Sequence, residues 1–170
     1  NISLAKGMTK IENVVVKNVG DKDMDNLSIL IVGIPLTWYN ITPQSYKTAQ
    51  KGNSYIFLIE FRIPKDAKEG EYKANLIAST NLASDQKPIT ITIFKSIEDV
   101  LNSEISRLKE DLQELAVDVK IAERDGKDTS AIAVIINEIK SQINSAETNL
   151  KNKNTDEALG NVANAKILTE

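Results

Sequence analysis

The sequence predicts an antiparallel β-sandwich of about seven strands, followed by an antiparallel helical hairpin or three-helix bundle. Apolar residues recur with a period of two as far as Lys95, and with a period near 3.5 from Ser96 onward. The residue classes change at the same point, because all four prolines and every Trp, Tyr and Phe precede Ser96. We therefore expect two separate domains, residues 1–95 and 96–170.

Short alternating stretches separated by turn residues make up the first part. The clearest, SYIFLIEFRI, places Tyr55, Phe57, Ile59, Phe61 and Ile63 on one face of a strand. The other strand-like stretches are IENVVVKN, LSILIV, EYKANLIAS and ITITIF. Glycine, proline and acidic residues between them mark turns in NVGDKDMDN, PKDAKEGE and NLASDQKP.

The second part begins with a helix-capping signal. Ser96 is followed by Glu98 and Asp99, which suits an N-cap with acidic residues in the first turn. Aliphatic residues then recur at spacings of four and three over about 28 residues, and Gly126 suits the position after the helix end. This first apolar seam consists of Leu101, Ile105, Leu108, Leu112, Leu115, Val119 and Ala122.

Two further helices are predicted after short loops. The second has its own seam, and the third begins near Thr155. Short loops make consecutive helices neighbours, which favours a hairpin or bundle within one chain. A coiled coil between chains would satisfy the same pattern. The second seam is Ile132, Ile136, Ile139, Ile143, Ala146 and Leu150, and the third helix offers Ala158, Leu159, Val162, Ala165 and Leu168.

Composition argues against several classes of function. The 170 residues include no cysteine and no histidine, which excludes disulfides, thiol nucleophiles and zinc sites of the Cys/His type. The net charge of −3 without a basic patch argues against a nucleic-acid partner. No glycine-rich phosphate loop, nucleophile elbow or carboxylate pair is evident. We therefore expect a protein that is not an enzyme and has no cofactor.

Three alternating aspartates, Asp21, Asp23 and Asp25, resemble the start of a calcium-binding loop. In that pattern, however, an apolar residue would stand at Ser28 and a bidentate glutamate at Val32. We therefore interpret the stretch as a polar turn without a metal, in which Gly and Asp supply unusual backbone angles. A calcium site is the alternative.

The β part resembles Ig-like sandwich modules of secreted bacterial and archaeal proteins. VVVKNVGDKDMDNLSI contains an Asn-x-Gly turn at Asn18 and Gly20, and IPLTWYN contains a Pro-x-x-Trp motif at Pro35 and Trp38. Thr37 stands where such modules often carry glycine. The third motif lies in GNSYIFLIEFRIPKDAKEGEYKANLIAST, at Pro64, Gly70 and Tyr72. The similarity covers about the first 95 residues and includes cell-adhesion-related modules, an α-galactosidase-associated module and archaeal S-layer-related repeats.

The resemblance implies an Ig-like fold and a non-catalytic role outside the cell. It is typical of modules of prokaryotic, here archaeal, envelope proteins that act in protein contact, spacing or assembly at the cell surface. The helical part resembles hairpins found near the membrane in archaeal surface proteins. We therefore expect a protein partner at the cell surface. An accessory ectodomain of a membrane transport or secretion complex is an alternative.

An aromatic group around Pro43 supports another alternative. Exposed rings at Trp38, Tyr39 and Tyr46 could stack on sugars, as in a carbohydrate-binding accessory domain with a glycan as partner. A single tryptophan in a small sandwich can equally serve as a core residue.

Sequons provide the remaining candidate sites. Asn1, Asn26 and Asn40 each begin an Asn-x-Ser/Thr motif, and all three lie in the β part.

We expect this sequence to be a piece of a longer protein, because it begins with Asn1 and ends within a helical pattern. No run of about 18 apolar residues occurs, so any membrane anchor is expected to lie outside this stretch.

Overall fold

The computed structural model describes residues 1–169 and confirms the predicted fold class: a β-sandwich in two sheets, followed by three packed helices. Glu170, the last residue of the predicted helical part, lies outside the described residues. Two compact units are present, Asn1–Lys95 and Ser96–Glu170, each with its own apolar core. The strands are β1 (Ile2–Ala5), β2 (Thr9–Lys17), β3 (Met24–Val32), β4 (Tyr39–Thr42), β5 (Ser45–Ala49), β6 (Ser54–Arg62), β7 (Gly70–Ser79) and β8 (Ser84–Phe94).

Two sheets form the sandwich. The larger has the strand order β1-β8-β7-β3-β5 and the smaller has the order β2-β6-β4. Every pairing is antiparallel except that of β1 with β8, which is parallel with Ile2 opposite Ile91. Eight strands are present in residues 1–169, in agreement with the prediction of about seven. The strands β1, β4 and β5 were not among the five stretches identified, because four or five residues are too few to show a clear alternation.

Strand β6 provides the centre of the sandwich core, as its alternation predicted. Phe57, Ile59 and Phe61 are buried, as is Ile63 directly after the strand, and Tyr55 is half-buried at the strand's start. From the larger sheet, Leu4, Ile31, Ile91 and Ile93 meet them as fully buried side chains.

Two strands begin earlier than the turn signals suggested. Strand β3 starts at Met24, so Asp25 lies on a strand rather than in the turn before it. Strand β8 starts at Ser84, so the polar run SDQKP is strand as well. Pairing with β5 and β7 overrides the low strand propensity of these residues.

Asn18 explains the Asn-x-Gly motif after β2. Its buried side chain donates Nδ2–H bonds to the carbonyls of Lys22 (3.0 Å) and Ala49 (2.8 Å). Its Oδ1 accepts the amide of Gly20 at 2.9 Å. One amide thus ties the β2–β3 turn to β5, which requires both a donor and an acceptor at this position.

The helical unit contains α1 (Ile97–Arg124), α2 (Ser130–Lys151) and α3 (Thr155–Thr169). Ser96 and Asp99 form a reciprocal capping box at the start of α1, and Gly126 has a positive φ of +76° just beyond its end. No helix in the described part of the chain is long and apolar enough to cross a membrane.

At the start of α2, the residue in the N-cap position is not the residue whose side chain accepts a helix amide. Thr129 occupies the N-cap position, but its hydroxyl donates to Glu123 at 3.0 Å instead of capping the helix. Asp128 accepts the Ser130 amide at 3.0 Å, and this hydrogen bond lowers the pKa of the Asp128 carboxyl.

Polar contacts fix the alignment of the three helices around the aliphatic core. Glu104 is buried on α1, with Lys166 Nζ of α3 at 2.6 Å and Arg107 Nη2 at 3.0 Å from its Oε2. Asn161 of α3 bonds both Asn149 and Gln142 of α2 at 2.9 Å. The core is built from predicted seam residues, which are Leu101, Ile105, Leu108, Leu112, Val119, Ile136, Ile139, Ile143, Ala146, Ala158, Val162 and Ala165.

Candidate functional site

The aromatic side chains proposed as sugar contacts serve in packing within the sandwich. Trp38 ends a short 3-10 helix (Leu36–Trp38) and is only 7% exposed, with its ring edge-on to Tyr72 at 5.1 Å. The Tyr39 hydroxyl donates to the Ile31 carbonyl at 2.8 Å. Stacking on a sugar would require the Trp38 ring to leave the core.

Tyr46 belongs to a different aromatic group. Its ring lies edge-on to Tyr55 at 4.9 Å and to Phe57 at 5.2 Å. Its hydroxyl donates to the Ile56 carbonyl at 2.7 Å. The rings of Tyr46 and Trp38 thus have separate ring partners and form no common platform for a sugar.

The aspartate run is tied to neighbouring chain rather than gathered into a cage. Asp23 Oδ1 accepts the Lys51 amide at 2.8 Å, and Asp25 Oδ1 accepts the Thr48 hydroxyl at 3.2 Å. Asp21 is exposed. Within residues 1–169, no group of three or more acidic, histidine or cysteine side chains could hold a metal ion.

All three sequon asparagines are exposed. Asn1 precedes β1, Asn26 lies on β3 with a positive φ of +58°, and Asn40 lies on the edge strand β4. Their side chains are therefore accessible to a modifying enzyme in the folded sandwich.

The smaller sheet carries an apolar patch on its outer side, which we call the outer face. It consists of Ile11 and Val15 on β2 with Ile56 and Leu58 on β6, and these side chains are 61%, 62%, 53% and 42% exposed. The register brings them together. Val15 lies opposite Ile56, and Leu58 lies opposite Asn13, which stands between Ile11 and Val15 on β2. Patches of this kind mark contact sites for other proteins.

Polar groups border the outer face. Arg62 pairs with Glu60 at 2.6 Å beyond Leu58, and the hydrogen bond to Glu60 raises the pKa of Arg62. Lys17 lies at the other end, beyond Val15, and Asn40 is opposite Glu60 on β4. Inside this border, the exposed Asn13 lies between Ile11 and Val15, so the patch consists of four apolar side chains around one amide.

Sequence reasoning missed the outer face, although a signal for it was present. Residues 56–59 form an unbroken apolar run, Ile-Phe-Leu-Ile, where a strand with one face in water should alternate. The alternation of β6 assigns Phe57 and Ile59 to the core, but it predicts no role for the outward residues Ile56 and Leu58.

Comparisons with known proteins give no family. No protein-family model and no curated protein matches the chain. Among solved structures, a family 123 glycoside hydrolase from Clostridium perfringens is similar at 12% identity and a TM-score of 0.43. The match covers 55% of this chain and 23% of the hydrolase.

Two smaller proteins are similar at the same level. SSP-19, an MSP-domain-like protein of Caenorhabditis elegans, shares 12% identity with a TM-score of 0.38, over 54% of this chain and 94% of its own. The CupB2 chaperone of Pseudomonas aeruginosa shares 10% identity with a TM-score of 0.40, over 56% of this chain and 53% of the chaperone. The first part of the chain is an Ig-like β-sandwich, and likeness this remote says nothing about its activity or partners.

Proposed function

We propose that the chain is a non-catalytic module of a prokaryotic, archaeal envelope protein, displayed outside the cell. In this proposal the sandwich acts through protein contact, in assembly or spacing at the cell surface. The outer face carries the proposal, because four large apolar side chains are held in water on the side of a regular sheet that faces away from the core.

Two further observations support a location at the cell surface. The motifs at Asn18, Pro35 and Trp38 are similar to those of secreted modules, including archaeal S-layer-related repeats. The three sequon asparagines are exposed, as the attachment of a glycan would require.

The location can be tested with antibodies against the folded sandwich. Intact cells of the source organism should be labelled as strongly as permeabilised cells. Labelling that appears only after permeabilisation would contradict the proposed location.

The contact can be tested with a matched pair of variants. Ile56→Lys places a charge in the outer face, whereas Leu30→Lys places one at an exposed apolar residue of the larger sheet. Affinity capture from the envelope fraction should retain a protein partner with the wild-type chain and with Leu30→Lys. The partner should be lost with Ile56→Lys. Equal capture by all three chains would refute a role for the outer face.

A further inference from the structure

A second candidate contact surface, distinct from the outer face, lies at one side of the sandwich. There, among the described residues, the edge of the larger sheet does not pair with the edge of the smaller sheet. Strand β1 pairs with β8 only from Ile91 to Phe94. In the described part of the chain, no strand pairs with residues 84–90 of β8 on the β1 side. We call this stretch, together with the cleft behind it, the open edge.

The cleft of the open edge has a volume of ≈ 590 Å³ and lies between β8 and β2. It is lined by apolar residues from several strands and, along β8, by the exposed Asp85 and Lys87 as well, and Asn1 and Ile2 line the end where β1 stops. Val14, Val16 and Ile89 face the core here but are only half-buried. Beside β1, by contrast, Ile91 and Ile93 are fully buried. Strand β1 therefore covers one half of this side of the sandwich and leaves the other half uncovered.

The backbone of the open edge is oriented for strand pairing. The Phe94 carbonyl accepts the amide of Lys6, so Phe94 directs its backbone groups toward the β1 side. The β7–β8 register is regular throughout, so the other even-numbered residues of β8 point the same way. Ser84 thus offers an N–H and a carbonyl there, and Pro88 offers a carbonyl only. Gln86 offers a carbonyl, and its N–H donates to the exposed Asp85 Oδ1 at 2.8 Å, a side-chain bond that a partner's carbonyl would have to replace.

We infer that the open edge binds an extended peptide strand of a partner protein, with aliphatic side chains at every second position. Such a strand would lie in line with β1, bond to the backbone of β8 and fill the cleft, as Leu4 of β1 fills the core. Residues 84–89 span about 20 Å, which accommodates about six residues and about three inward side chains.

A second copy of this chain is a poorer occupant. Antiparallel pairing of two open edges about Gln86 would set Ser84 of each copy opposite Pro88 of the other. Proline has no N–H, so that arrangement would lose two hydrogen bonds, whereas a peptide without proline loses one. The inference rests on the proposed protein-contact function and gives the partner's chemistry at a different surface from the outer face.

The probe is a fluorescent peptide of about eight residues, with valine at every second position and lysine and serine between. Its control is an isomer of the same composition with the valines in adjacent pairs, which cannot place them all on one side. By fluorescence anisotropy, we expect the alternating peptide to bind the full chain about tenfold more tightly than the isomer.

Three variants locate the binding. Gln86→Pro removes the central outward N–H without touching the β7 pairing and should weaken binding about tenfold, whereas Gln86→Ala keeps that N–H and should bind normally. Ala78→Leu fills the cleft from within and should also weaken binding. Hydrogen exchange at the Gln86 amide should be slower with the alternating peptide than in the free chain, where this amide bonds only to the exposed Asp85 side chain.

The following outcomes would overturn the inference. They are equal binding of both peptides, no binding at millimolar concentration, and no added protection at Gln86. Dimers that Gln86→Pro converts to monomers would identify the occupant as a second copy instead. Ile56→Lys should leave peptide binding unchanged, so failure here and failure of the outer-face function can be told apart.

Discussion

The sandwich and the helical unit bury their apolar residues in different ways. In the helices, residues three and four positions apart share a face, and short loops return that face onto the next helix. In the sandwich, alternation determines which side of a strand faces inward, but the other sheet must still cover that side. At the open edge Val14, Val16 and Ile89 face inward without full cover. Periodicity thus identifies a buried face more completely in a helix than in a strand.

The largest expected effect lies at the centre of the sandwich. Phe57 is 0% exposed, and its ring packs against Tyr46. Phe57→Ala should lower the free energy of unfolding of the sandwich by about 3–5 kcal/mol, because it removes a buried ring and leaves a cavity. Denaturant unfolding followed by tyrosine fluorescence measures this, since every tyrosine lies before Ser96.

The matched control for Phe57 is its neighbour on the opposite side of the strand. Ile56→Ala removes a side chain from the outer face and should change stability by less than about 0.5 kcal/mol. Equal losses in both variants would mean that the outer face is covered in solution.

Leu112, in the middle of the α1 seam, is the corresponding position in the helical unit. Leu112→Ala should cost about 2–5 kcal/mol, toward the lower end because the side chain lies at the margin of the core. Gln113→Ala, on the exposed side of α1, should be nearly neutral. Helical ellipticity during urea unfolding would report both changes.

The dependence of the Leu112→Ala stability loss on protein concentration shows whether the helical seam is buried within one chain or between chains. Burial within one chain predicts the same Leu112→Ala loss at every protein concentration. A loss seen only at high concentration would indicate a coiled coil between chains.

A smaller effect is expected where one amide side chain organises a turn. Asn18→Ala would leave the carbonyls of Lys22 and Ala49 without their donor, and should cost about 1–3 kcal/mol. Asn13→Ala, on an exposed position of β2, is the control. A thermal melt with equal midpoints for the two variants would show that the turn holds without the Asn18 amide.

The smallest effect is expected from neutralising the aspartate run. In an Asp21→Asn, Asp23→Asn and Asp25→Asn triple variant, asparagine keeps an oxygen to accept the Lys51 and Thr48 bonds. Stability should therefore change by less than about 0.5 kcal/mol. Calcium at about 5 mM should not move the melting midpoint of the wild-type chain. A calcium-dependent rise that the triple variant abolishes would restore the metal interpretation.

Most of the architecture could be predicted from the sequence, because long periodic stretches specify both their type and their buried side. The inward residues of β6 and most members of the helical seams were correctly predicted, but Ile132, predicted to open the second seam, is exposed near the start of α2. The starts of β3 and β8 were not, because their polar first residues become strand only through pairing with distant segments.

The candidate surfaces were harder to predict than the fold. The outer face depends on the register that places Val15 beside Ile56, and the open edge depends on where β1 ends along β8. Both are relations between strands distant in sequence, which the period of a single strand does not contain.

The parallel pairing of β1 with β8 has a mechanical consequence. The two strands run in the same direction, with Ile2 opposite Ile91 and Ala5 opposite Phe94. Tension applied between Asn1 and Lys95 would pull these strands lengthwise past each other. Their hydrogen bonds would then share the load and break together, whereas strands peeled from one end release their bonds one at a time. We therefore expect a sandwich closed in this way to resist stretching along the chain better than one whose terminal strands peel apart.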